Sequence, residues 1–111
     1  MLFRFLILIG ICAVTGAASA QTVGLDLAKA NNCMSCHRVD RKVVGPGFMA
    51  IAERFAGNGE AAEYLANSIR DGSRRKWGPV PMPRQSHVSP EDAVTIAEWI
   101  LSLHESDAQV E

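Results

Sequence analysis

No apolar run in this sequence is long enough to cross a bilayer. The longest, residues 5–14, is roughly ten residues against the ~20 a span requires. Basic residues are not in excess, which removes the profile of a nucleic-acid-binding protein. Repeats, low-complexity tracts and internal linkers are also missing, so the 111 residues hold one small domain. No alternating strand pattern is present. Cysteine is scarce, with three residues in all.

The first twenty residues have the layout of an export signal. Arg4 is their only charge, the short apolar run follows it, and Ala18-Ser19-Ala20 forms an A-x-A site before Gln21. Residues 1–20 therefore read as a signal peptide cleaved after Ala20, and residues 21–111 as the working domain. An anchor helix would need about twice the apolar length. Ile11, before Cys12, is not the small residue a lipoprotein signal needs. Cleavage removes Arg4 and Cys12. Ten Lys and Arg then face twelve Asp and Glu, a formal charge of −2, and the cysteines left are Cys33 and Cys36. A domain this small buries only about 60% of its unfolded surface, so it is marginal on its own side chains.

Periodicity predicts short helices joined by turns. Residues 24–32, with Leu25, Leu27, Ala28 and Ala30, read as a helix running into the cysteines. After the Gly45-Pro46-Gly47 break, Phe48, Ile51, Ala52 and Phe55 fall on one helical face that Gly57 stops. Residues 60–71 form a third helix, with Ala61, Tyr64, Leu65 and Ile69 inward and Gly72 closing it. Residues 73–88 carry three prolines, Pro79, Pro81 and Pro83, and cannot be helical throughout. Ser89, Pro90 and Asp92 then start a last helix with the stripe Ala93, Ile96, Ala97, Ile100 and Leu101. His104 near its end suits the negative pole of the dipole, and the chain is expected to fray from Glu105.

The chemistry centres on Cys33-Met34-Ser35-Cys36-His37, a C-x-x-C-H run that marks attachment of a c-type haem. Two thiols three residues apart can reach two vinyl groups on adjacent pyrroles, and the adjoining histidine supplies an imidazole to the iron. Thioether bonds keep the cofactor attached in either redox state. Three other readings compete. A thioredoxin-like pair requires a preceding strand, a zinc site requires a second ligand pair at suitable spacing, and a plain disulfide leaves His37 unexplained.

The opposite iron position has one leading candidate. Methionine there raises the reduction potential and favours electron transfer over oxygen chemistry. Met34 lies between the haem cysteines, and Met49 sits in a helix as a core residue. Met82 lies 45 residues beyond His37, in the stiff run Pro79-Val80-Pro81-Met82-Pro83, which loses little entropy in presenting one side chain. A Met in a proline-rich surface loop is the bland alternative. His87 is a rival ligand, and His104 reads as a capping residue.

Cys33-x-x-Cys36-His37, Gly45-Pro46, Trp77-Gly78-Pro79 and Pro81-Met82-Pro83, in this order and spacing, resemble the short class I cytochromes c of bacteria. The resemblance covers essentially the whole exported domain. It implies an all-α class I fold of four to five short helices around one covalently bound haem c, with His37 and Met82 as iron ligands. It implies that the first and last helices cross, with Leu27 or Ala28 against Ile96 and Trp99. It also implies that the Pro46 carbonyl accepts from the free nitrogen of His37 and that the Trp77 indole donates to a haem propionate. A simple core aromatic is the alternative for Trp77. Members are small periplasmic carriers that donate electrons to nitrite reductases or terminal oxidases and catalyse no reaction themselves. One departure is Arg84-Gln85, where relatives often place an asparagine that bonds near the methionine sulfur. Another is the basic run Arg74-Arg75-Lys76.

Eight of the ten cations of residues 21–111 fall in two segments, Arg38, Arg41, Lys42 and Arg70, Arg74, Arg75, Lys76, Arg84. In the implied architecture both flank the haem crevice, while six of the twelve acids lie from Glu91 onward. These are either solvated faces or a positive front that meets acidic redox partners. The expected function is a monomeric one-electron carrier. A haem subunit of a larger oxidoreductase and a haem enzyme or gas sensor with a labile sixth ligand are the alternatives.

Overall fold

A computed structural model describes residues 17–108, and the side chains of residues 22–106. Arg4, Cys12 and most of the expected export signal lie outside the described residues. Four α-helices follow in chain order: α1 (Ala17–Ala30), α2 (Phe48–Arg54), α3 (Ala61–Asp71) and α4 (Pro90–Ala108). A 3-10 turn over Cys33–Ser35 lies between the first two. Among the described residues there is no strand. Two isolated bridges are present, His37 with Lys42 and Ser73 with Met82. No helix there is long and apolar enough to cross a membrane.

The last helix organises the rest: α1, α2 and α3 each pack on α4. Its stripe explains why, since Ala93, Ile96, Ala97 and Ile100 recur at helical spacing and are all buried, joined by Trp99. Phe48, Ile51, Leu65, Ala66, Ile69, Ala28 and Val88 close the core around them. The start of α4 is capped by its sequence: the Ser89 hydroxyl accepts from Asp92 N at 3.1 Å.

The crossing of α1 with α4 turns on a glycine. A Cβ on Gly24 would lie 2.1 Å from Trp99 Cβ and 2.5 Å from its Cγ. Only a residue without a side chain allows this approach, which Ala28, fully buried one turn later, continues. Trp99 and Ala28 thus meet the expected crossing, but its tightest point is Gly24.

Three expectations need correction. Tyr64 is not buried with the other residues of that face; it is 40% exposed, tilted against Phe55 with ring centroids 5.4 Å apart. A phenol keeps its hydroxyl in water while its ring covers apolar surface, which suits a rim position. The first helix ends at Ala30, two residues early, because Asn32 takes a left-handed φ of 62° and Asn31 Nδ2 donates back to Leu27 O at 2.9 Å. The last helix continues past Glu105 to Ala108, so His104 lies before its final turn. Ser102 and Ser106 donate to carbonyls of Trp99 and Ser102, so their hydroxyls are satisfied along the helix.

Candidate functional site

Cys33, Cys36 and His37 share one tight turn, in which Cys36 N and His37 N both donate to Cys33 O, at 3.2 and 3.0 Å. Cys33 is half-buried and Cys36 exposed, and neither is in a disulfide. Burial pushes the Cys33 thiol above its ordinary value. The turn leaves both sulfurs and the imidazole on one short segment, as the spacing predicts.

His37 is held on every side. It is 8% exposed and stacks on Phe48, centroids 5.0 Å apart and 18° between planes. Phe48 in turn meets Trp99 edge-on at 5.3 Å, which ties the imidazole to α4. The ring lies against Gly45, where a Cβ would fall 2.5 Å from Cε1. His37 Nδ1 donates to Pro46 O at 2.8 Å. A carbonyl can only accept, so Nδ1 carries the proton and Nε2 keeps its lone pair for a metal.

Met82 arrives from the proline-rich segment, whose backbone is pinned to α3 and the residues after it. Ser73 and Met82 exchange both backbone hydrogen bonds, at 3.0 and 2.9 Å, Gln85 N donates to Ile69 O at 2.9 Å, and Arg70 Nε donates to Val88 O at 3.2 Å. Gly72 makes room for this, with φ of 80° and Met82 O only 2.7 Å from the site a Cβ would take. Proline stiffness is thus one restraint among several; the Ser73 pairing is another, and no periodic pattern along the chain signals it.

A cavity of about 300 Å³ joins the two segments. Cys33, Cys36, His37, Pro46, Trp77 and Met82 all line it, over a floor that includes Ile96 and Ile100. Met34, Met49, His87 and His104 are not among its lining residues. His87 directs Nε2 to Asn31 O at 3.4 Å, and Gln85 directs its amide to Pro83 O at 2.9 Å. No group of three His, Cys, Asp or Glu side chains able to hold a metal ion occurs among the described residues. Two unpaired thiols at the rim, an imidazole with a free Nε2, a thioether on a pinned backbone and apolar walls are a donor set that fits a haem.

Sequence reasoning missed Arg54. Its guanidinium carbon lies 4.4 Å over the Trp77 ring and Nη1 donates to Lys76 O at 2.7 Å, clamping the 76–77 segment to the end of α2. A lone arginine in a last helical turn carries no signal of such a role. Among the basic residues, Arg38 is turned inward onto the carbonyls of Met34 and His37. Arg41 pairs with its neighbour Asp40 at 3.2 Å, an exposed contact worth little energy. Lys42, Arg74, Arg75, Lys76 and Arg84 are exposed, and Arg75 and Lys76 also line the cavity rim.

An all-α shell closed on α4, with a C-x-x-C-H turn at the edge of an apolar cavity, defines the class of c-type haem domains. The family profile described as Cytochrome c matches residues 22–104, and the chain belongs to that family. It is 46% identical over 82 residues to cytochrome c-551 of Pseudomonas denitrificans, covering 74% of this chain and 99% of that protein. To cytochrome c-552 of Nitrosomonas europaea it is 49% identical over 90 residues, covering 81% and 84%. The crystal structure of wild-type Nitrosomonas europaea cytochrome c552 superposes with a TM-score of 0.70 at 51% identity, covering 71% of this chain and 98% of that one. The class 1 cytochrome MtoD of Sideroxydans lithotrophicus gives a TM-score of 0.62 at 29% identity, covering 75% and 95%. The cofactor is accordingly a covalently attached haem c, and the protein is an electron carrier rather than an enzyme.

Proposed function

We propose that this chain is a periplasmic one-electron carrier in which Cys33 and Cys36 bind the haem covalently and His37 and Met82 ligate its iron. The observation that carries this reading is the meeting of all four residues on one apolar cavity, with His37 Nδ1 occupied by Pro46 O and Nε2 left over. When bound, the haem supplies an iron that cycles between ferric and ferrous states without bond making at the protein. The residues do the rest. Cys33 and Cys36 prevent loss of the cofactor. Pro46, Gly45 and Phe48 fix the imidazole plane, and the Ser73 pairing holds the Met82 backbone, so neither ligand has far to move when the charge changes. Trp77, braced by Arg54, directs its indole N–H to a haem propionate. Residues 1–20 serve as the cleaved export signal, and the domain acts as a monomer.

The test is a redox titration of the purified exported protein. A reversible one-electron transition between two low-spin spectra is expected, with no uptake of carbon monoxide by the reduced form. A high-spin spectrum with rapid binding of carbon monoxide or peroxide would favour an enzyme or sensor instead.

Docking uses the positive front made by Arg41, Lys42, Arg74, Lys76 and Arg84; Arg38, turned onto the carbonyls of Met34 and His37, and Arg75, at the cavity rim, stand behind it. Six of the twelve acids lie from Glu91 onward, on or after α4, so the charge is separated along the molecule. Such a front accelerates encounter with an acidic patch on a redox partner. Stopped-flow electron transfer to the physiological partner is therefore expected to slow as ionic strength rises from 0.01 to ~0.15 M, where the screening length shrinks to about 8 Å. A rate that stays flat or rises with salt contradicts a basic docking face.

A further inference from the structure

Arg75 holds a left-handed backbone, with φ of 56°, in a segment where its neighbours do not. This conformation crowds a Cβ against the following carbonyl, so a residue other than glycine, asparagine or aspartate is retained there at a cost. Nothing local repays it. The guanidinium makes no hydrogen bond or ion pair among the described residues, where Arg41 with Asp40 is the one salt bridge. The nearby cations differ in this respect. Arg54 is committed to the Trp77 face and to Lys76 O, and Lys76 Nζ lies 5.9 Å over the Tyr64 ring. Arg75 alone of the three has a free fork of donors, and it lines the rim of the haem cavity two residues before Trp77.

Accordingly we propose that Arg75 is a positioning residue that clamps a haem propionate at the cavity rim and, by neutralising it, raises the reduction potential. The proposal rests on the haem reading given above. A guanidinium presents parallel N–H donors that match a carboxylate, which a lysine ammonium does not. An unneutralised carboxylate near the iron favours the ferric form, and a cation held against it removes that preference. Residual strain at a position facing a cofactor is the usual setting for such a role. Arg75 then works toward the haem, whereas Arg74 and Arg84 face the partner.

The test uses three variants of the full, haem-loaded protein. Arg75→Gly relieves the backbone and removes the charge. Arg75→Gln keeps the strain and removes the charge. Arg75→Lys keeps the charge. Spectroelectrochemistry is expected to show a lower midpoint potential for Arg75→Gly and Arg75→Gln, by similar amounts, with Arg75→Lys close to the parent. The thermal midpoint of Arg75→Gly is expected to equal or exceed that of the parent, so its lower potential does not reflect a damaged fold. Unchanged potentials in Arg75→Gly and Arg75→Gln, with the pigment intact, overturn the proposal, and slower transfer to a partner at unchanged potential assigns Arg75 to docking. An Arg75→Lys potential as low as that of Arg75→Gln overturns it too. A colourless parent protein would refute the haem reading and is a different result from any of these.

Discussion

Replacing Met82 with alanine is expected to convert a closed low-spin haem into one with an open coordination position. The weak far-red band from sulfur-to-ferric charge transfer should vanish, and the reduced protein should bind carbon monoxide. The midpoint potential should fall by something on the order of 0.1 V or more, within the ~0.8 V that axial ligands span. The fold should survive, because both hydrogen bonds between Ser73 and Met82 run through backbone atoms and the Gln85–Ile69 bond lies beyond the substitution. That separation makes the variant informative, as loss of the band with a helical protein assigns the ligand, and retention of the band assigns ligation to another side chain. His87 is the natural rival, yet its ring is turned to Asn31 O and away from the cavity lining.

The second large effect belongs to Gly24→Ala. Helix propensity alone favours alanine by ~1 kcal/mol. Against this, the new Cβ would sit 2.1 Å from Trp99 Cβ, an atom fixed to the α4 backbone and unable to swing aside. The two helices must separate, and overpacking of this kind costs ~1–3 kcal/mol or more and disturbs the Trp99–Phe48–His37 stack behind it. A net loss of about 2 kcal/mol corresponds to a thermal midpoint lower by roughly 8–16 °C for a domain of this size. Gly59→Ala is the control, since nothing lies within 4 Å of its added Cβ. A calorimetric scan with Gly24→Ala as stable as Gly59→Ala would contradict a crossing set by close backbone approach.

Most of the candidate site is legible in the sequence. The C-x-x-C-H run and the proline-framed methionine are local signals, because their chemistry depends on spacing along the chain. The α4 stripe and its Ser89 cap are local too, and they placed the helix on which everything packs. What was not legible depends on contacts far apart in sequence. Gly24 gives no sign of Trp99, 75 residues away, until the helices cross. Arg54 and Lys76 are 22 residues apart, and the clamp on Trp77 exists only after folding. Tyr64 was misplaced for a related reason: helical periodicity located its face correctly, but an amphipathic ring at the rim of a cavity counts as apolar in a pattern and as exposed in space. Arg38 looked like a surface cation in the charge run, yet its guanidinium turns back onto the haem-attachment turn.

The most direct measurement is the intact mass of the purified exported protein before and after extraction with acidified organic solvent. Two thioether bonds through Cys33 and Cys36 predict a coloured chain heavier than its sequence from Gln21 onward by one haem, with colour and mass unchanged by extraction. A chain at its bare polypeptide mass, or a pigment that leaves with the solvent, would contradict covalent attachment and the function built on it.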